Sequence, residues 1–96
     1  MPTYIALMNY TQQGVAKVKD SPSRLAAGRE EFKQAGAKIK EAYLTMGRYD
    51  LVCVIDAPDD ETYARLTLDL ASRGNVQTET LKAFSEDQFR KIVDSI

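Results

Sequence analysis

Ninety-six residues suffice for one domain, residues 1–96, built around one modest core. Thirteen Lys and Arg stand against fourteen Asp and Glu, a formal net charge of -1 with no basic stripe, which argues against nucleic acid or a membrane surface as partner. Histidine is absent and cysteine occurs once, so a Cys/His zinc site, a Ser-His-Asp or Cys-His nucleophile and imidazole acid–base catalysis are all excluded within one chain.

The start, Met1-Pro2-Thr3-Tyr4, lacks a basic region, and no apolar run approaches the ~20 residues of a membrane span. The cytoplasm is the expected compartment. Thr3 to Tyr10 mixes apolar and aromatic residues without helical spacing and reads as a strand buried on both faces. Thr11-Gln12-Gln13-Gly14 breaks it, and Val15 to Asp20 suggests a short helical turn. Ser21-Pro22 then signals a helix start, with Ser21 as N-cap, and Leu25, Gly28, Phe32 and Ala35 share one helix face that Gly36 can end.

Ala37 to Met46 and Tyr49 to Asp56 alternate as the arms of a β-hairpin. Cys53 lies in the run Leu51-Val52-Cys53-Val54-Ile55 and reads as a buried small hydrophobe in place of a reactive thiol. Asp59, Asp60 and Glu61 favour the start of a helix whose buried face carries Tyr63, Leu66 and Leu70. Asn75 to Phe84 alternates as a fourth strand. Ser85-Glu86-Asp87-Gln88 has capping-box spacing, and Phe89, Ile92, Val93 and Ile96 give the last helix an apolar stripe.

The order is that of an α+β, ferredoxin-like βαββαβ antiparallel sheet with an extra C-terminal helix. Such a sheet carries its crossover helices on one face. Ile5-Ala6-Leu7-Met8 and the Cys53 run are apolar at consecutive positions, so the second face also needs a cover. Either the C-terminal helix folds over it or the sheet pairs with a second copy. The expectation is a homodimer, or a higher homo-oligomer, through the sheet face.

Gly47-Arg48-Tyr49-Asp50 resembles the signature of the GYD domain family, with Arg48 standing between its Gly and Tyr. Pro2-Thr3-Tyr4-Ile5, Asn9-Tyr10-Thr11 with Gly14, Ala57-Pro58-Asp59-Asp60 and Gly74 to Leu81 with Ala83-Phe84 are similar to its other stretches. The resemblance implies a relation to the dimeric α/β barrels, a group holding cofactor-independent monooxygenases, muconolactone-type isomerases and ligand-sensing modules. Fold likeness of this kind assigns no reaction.

A two-residue Gly47-Arg48 loop pairs Met46 with Tyr49, Thr45 with Asp50, Leu44 with Leu51 and Tyr43 with Val52. Alternation then puts Tyr49, Leu51, Cys53, Ile55, Met46, Leu44 and Ala42 under the helices, and Asp50, Val52, Val54, Thr45, Tyr43, Glu41 and Ile39 on the other face. Asp50 and Tyr43 are the catalytic candidates, as base and hydrogen-bond donor. Thr45, Glu41, Asn9, Arg48 and Tyr49 are the ligand-binding candidates. The plainer reading is that Asp50 caps the hairpin and Arg48 pairs with a surface carboxylate.

Three functions fit. One is a module that binds or senses a small organic ligand between sheet and helices. Another is a cofactor-free monooxygenase or isomerase using Tyr and Asp. The last is a non-catalytic interaction subunit. No cofactor and no metal are expected.

Overall fold

The computed structural model describes residues 1–96. Its elements are β1 (Thr3–Tyr10), α1 (Gln12–Ala16), a 3-10 turn (Val18–Asp20), α2 (Ser21–Gln34), β2 (Lys38–Leu44), β3 (Leu51–Asp56), α3 (Asp60–Ser72), β4 (Val76–Ala83) and α4 (Glu86–Asp94). The four strands form one antiparallel sheet in the order β2-β3-β1-β4. This is the ferredoxin-like α+β arrangement, and it carries the extra C-terminal helix.

Strand alternation decides what is buried. On β1, Tyr4, Ala6 and Met8 face the helices and are buried, whereas Ile5 and Leu7 face the other way and are half-buried. Cys53 and Ile55 join them from β3, Phe32 from α2, and Tyr63 and Leu66 from α3, forming one continuous core. At ~25 cal/mol per Å² of apolar surface, closure of this layer is the main stabilising term.

The helix ends follow local chemistry. The Asp59 carboxylate accepts the Thr62 amide at 2.8 Å and caps α3. Ser85 and Gln88 exchange the two bonds of a capping box at the start of α4. Gly36, at a φ of 79°, takes the left-handed conformation that stops α2. Ser21 is not the N-cap but the first helical residue; Asp20 occupies the cap position, and the Ser21 hydroxyl is turned to Tyr10 instead.

The hairpin departs from expectation at both ends. Its ladder closes with Tyr43 opposite Val52 and Leu44 opposite Leu51 as anticipated, but the loop then runs from Thr45 to Asp50 in place of a two-residue turn. Met46 is fully exposed at 100 % and makes no pair with Tyr49. Further back, the register shifts between Ile39 and Glu41, so Lys40 is an extra bulged residue. One extra residue reverses the alternation beyond it. Ile39, expected on the outer face, is therefore buried in the core opposite Ile55.

The outer face holds Ile5, Leu7, Val52 and Val54 at its centre, half-buried, with Leu81 exposed on β4. Helix α4 does not cover it: the helix buries no residue, and Phe89, Ile92 and Val93 remain exposed. No helix of the chain is long and apolar enough to cross a membrane.

Candidate functional site

Between α2 and the β2–β3 half of the sheet lies a cleft of about 380 Å³, within the ~300–1,000 Å³ range of small-molecule sites. Of its 17 lining residues 13 are hydrophobic, and none is a carboxylate. Met8, Cys53 and Ile55 form the sheet side; Leu25, Gly28 and Phe32 form the helix side. The spacing 21, 24, 25, 28 and 32 keeps Ser21, Arg24, Leu25, Gly28 and Phe32 on one stripe of α2, which is why a single helix supplies one wall.

Gly28 is a gap in that wall. It is buried, yet a side-chain carbon added to it meets no atom within 4 Å. Positive φ angles are confined to Gly36, Gly47 and Gly74, so the helix backbone does not require glycine at 28.

Polar groups gather at the end of the cleft where β1 finishes and α2 begins. The Tyr10 and Ser21 hydroxyls hydrogen-bond to each other at 2.6 Å. Arg24, half-buried on the next turn, donates to the Lys17 carbonyl at 3.1 Å and to the Gly14 carbonyl at 3.4 Å. No carboxylate pairs with it. Burial pushes the Cys53 thiol up, with Arg29 acting against that, so the thiol in the opposite wall is neutral at pH 7.

Of the residues singled out from sequence, only Tyr43 borders the cleft. Its hydroxyl donates to Glu41 at 2.9 Å, a bond that raises the tyrosine's pKa. Tyr49 lies on the face opposite to the one expected: its hydroxyl reaches across to Glu79 at 2.7 Å, and Glu79 stands opposite Leu7 on the outer face. That bond also raises the Tyr49 pKa, while the nearby Arg48 acts to lower it. Asn9 sits opposite Gln77, half-buried, and Arg48 is exposed.

Asp50 and Thr45 tie the loop down. The Asp50 carboxylate accepts the Tyr10 amide at 2.9 Å while its own amide donates to the Met8 carbonyl at 2.9 Å. Thr45 donates from its amide to the Asp50 carbonyl at 2.8 Å and from its hydroxyl to the Tyr49 carbonyl at 2.6 Å. Asp50 and Tyr43 thus have separate hydrogen-bond partners. The cleft residues Ser21, Arg24 and Gly28 were not picked out as a site from sequence; the available signal was a glycine and an arginine at helical spacing on an otherwise apolar stripe.

A GYD domain model matches residues 4–93. The chain belongs to the GYD domain family. One relative is the "Glutamine synthetase and cystathionine beta-lyase binding protein" of Thermus thermophilus, 39 % identical over 84 residues, covering 86 % of this chain and 88 % of the relative. In this GYD chain the Gly47-Arg48-Tyr49-Asp50 segment is the loop that Asp50 clamps to β1.

Solved structures share the fold. MtbAldR superimposes with a TM-score of 0.70 at 14 % identity over 88 % of this chain, which spans about half, 52 %, of MtbAldR. FFRP-DM1 gives 0.62 at 21 % identity, with 88 % of this chain and 100 % of that one covered. TTHA0845 of Thermus thermophilus gives 0.55 at 26 %, covering 88 % and 95 % respectively. At these identities the likeness concerns architecture.

Proposed function

We propose that this GYD chain is a binding module whose α2 cleft takes a small organic molecule. Gly28 carries the reading. A glycine inside a helix costs about 0.5–1 kcal/mol relative to alanine, and neither backbone conformation nor crowding explains it here. Space left open in an apolar wall, at that cost, is what a ligand site needs.

The test is a backbone-amide NMR titration with octan-1-ol, a neutral apolar probe, on the native chain and Gly28→Leu. The reading expects saturable shifts on residues lining the cleft, absent in the variant. Shifts scattered over the surface, or none, would overturn it.

A second reading, association with another protein, is favoured by α4. Phe89 is 61 % exposed and Ile92 and Val93 stand beside it on one helical stripe, with Phe84 exposed just before the helix. The relative named for binding two enzymes makes a protein partner reasonable. The open sheet face fits pairing with a second copy, since Ile5, Leu7, Val52 and Val54 otherwise meet water. Sedimentation at micromolar concentration tests that pairing; a strictly monomeric species would sink it. A Tyr/Asp enzyme draws less support, because the Tyr43 hydroxyl is engaged by Glu41 and the Asp50 carboxylate by the Tyr10 amide.

A further inference from the structure

We infer that the ligand of the α2 cleft is an apolar molecule with one anionic head group, a monocarboxylate, seated with its head at Arg24 and its body toward Phe32. This rests on the reading of the cleft as a small-molecule site and adds the chemical class of its occupant.

The polarity of the cleft is graded along α2. Arg24 and Ser21 lie three residues apart on one face of α2 and line one end of the cleft, where the Ser21 hydroxyl meets that of Tyr10. About 12 Å further along the helix axis, at 1.5 Å per residue, Phe32 closes the other end, 1 % exposed, against Ile55, also 1 % exposed.

The charge at the polar end is unbalanced. Arg24 is the one cation among the lining residues, which include no acid. Arg73, by contrast, is neutralised by Glu31 at 2.7 Å and Asp69 at 2.8 Å. Arg24 donates only to two backbone carbonyls, so part of its five-donor fork has no protein acceptor. Those two bonds fix the guanidinium in position beforehand, which lowers the entropic cost of capturing an anion. A carboxylate fits the remaining donors in the bidentate manner that arginine favours, and the Tyr10–Ser21 hydroxyl pair is able to turn a proton toward the same oxygens.

A cationic ligand meets the opposite situation, since nothing in the lining offers it a counter-charge. A neutral apolar ligand fills the body of the cleft but leaves the guanidinium to water. The preference is therefore for an anion attached to an apolar body, and an anion without such a body forgoes the hydrophobic wall.

The experiment is calorimetric titration of octanoate, octan-1-ol and acetate into the native chain, Arg24→Gln and Arg24→Lys, with melting temperatures confirming that each variant is folded. A carboxylate gains charge-assisted hydrogen bonds that an alcohol does not, so octanoate is expected to bind at least tenfold more tightly than octan-1-ol. Acetate is expected to bind far more weakly than either. Arg24→Gln is expected to bring octanoate down to the level of octan-1-ol; Arg24→Lys, which retains the charge, is expected to restore part of the preference. Equal binding of octanoate and octan-1-ol overturns the assignment of an anionic head while the cleft reading stands. Binding of neither removes the cleft reading itself. An octanoate preference that survives in Arg24→Gln places the head group elsewhere and overturns the inference.

Discussion

Gly14 is seated against Asn75 so closely that a side-chain carbon on the glycine would lie 1.9 Å from the Asn75 carbonyl oxygen. Around this contact the β1–α1 turn and the α3–β4 turn are laced together. The Thr11 backbone amide donates to the same Asn75 carbonyl at 3.1 Å, the Thr11 hydroxyl to the Gly74 carbonyl at 2.5 Å, and the Gln13 side-chain Nε2 to the Asn75 Oδ1 at 3.0 Å. The end of β1 that borders the cleft, at Tyr10, is fixed by this neighbour.

Gly14→Ala is expected to destabilise the chain by about 2–3 kcal/mol, because the obstacle is a backbone oxygen that cannot step aside without breaking the Thr11 bond. Gly28→Ala is expected to move stability the other way, by about 0.5–1 kcal/mol, since the added methyl enters open space and the helix gains propensity. Denaturant melts of the two variants side by side check both signs.

The Asp50 carboxylate is expected to serve the loop and not the ligand. Asp50→Ala strips the acceptor from the Tyr10 amide and should cost about 1–2 kcal/mol. Octan-1-ol affinity, measured below the melting transition, should stay within about twofold. A fully folded variant that has lost binding would instead support the catalytic or ligand-binding assignment of Asp50.

Stability is expected to fall at high pH. Burial, then the hydrogen bond to Asp60, pushes the Tyr4 hydroxyl up to about 12. The unfolded chain releases this proton near ~10, while the folded chain still holds it, so the stabilisation is complete below ~10 and disappears as pH rises toward the folded value. Ultraviolet titration of the native chain and Tyr4→Phe checks this: the native chain should show a late-ionising tyrosine that the variant lacks. Tyr43, Tyr49 and Tyr63 shift in the same direction.

Acid acts through α3. The Asp60 carboxylate is held below its ordinary value by the Tyr4 hydroxyl and then by Lys82, and Asp59 by the Thr62 amide. A lowered pKa stabilises the fold above the ordinary carboxylate value of ~3.9 and the benefit is lost as pH falls through the lower, folded value. Asp60→Asn should flatten the acid limb of the stability profile measured by urea unfolding.

Much of the fold was legible because its signals are local. The stripe of α2, the capping box at Ser85, the acidic start of α3 and the apolar run of β1 each rest on residues within one or two turns of one another. The hairpin loop was not, because the groups that open it come from far along the chain: the Met8 carbonyl and Tyr10 amide hold Asp50 and draw the loop toward β1. The Lys40 bulge escaped for a related reason, since an extra residue leaves both arms alternating on either side of it. Tyr43 and Glu41 were correctly placed together on one strand face, and they are hydrogen-bonded. The cleft was illegible because it is defined by what Gly28 omits and by the absence of any acid opposite Arg24.

Thermal unfolding of the native chain and Gly28→Leu, each with and without octan-1-ol, tests whether the α2 cleft binds a small molecule. A ligand that binds only the folded state stabilises it by RT ln(1 + [L]/Kd), so the melting temperature goes on rising with ligand concentration even after the site is filled. Octan-1-ol is expected to raise the native melting temperature with the logarithm of its concentration once that exceeds the dissociation constant, and Gly28→Leu is expected to melt no lower than the native chain and not to respond. A native chain indifferent to the probe, or a Gly28→Leu variant stabilised by it as strongly as the native chain, would contradict the claim.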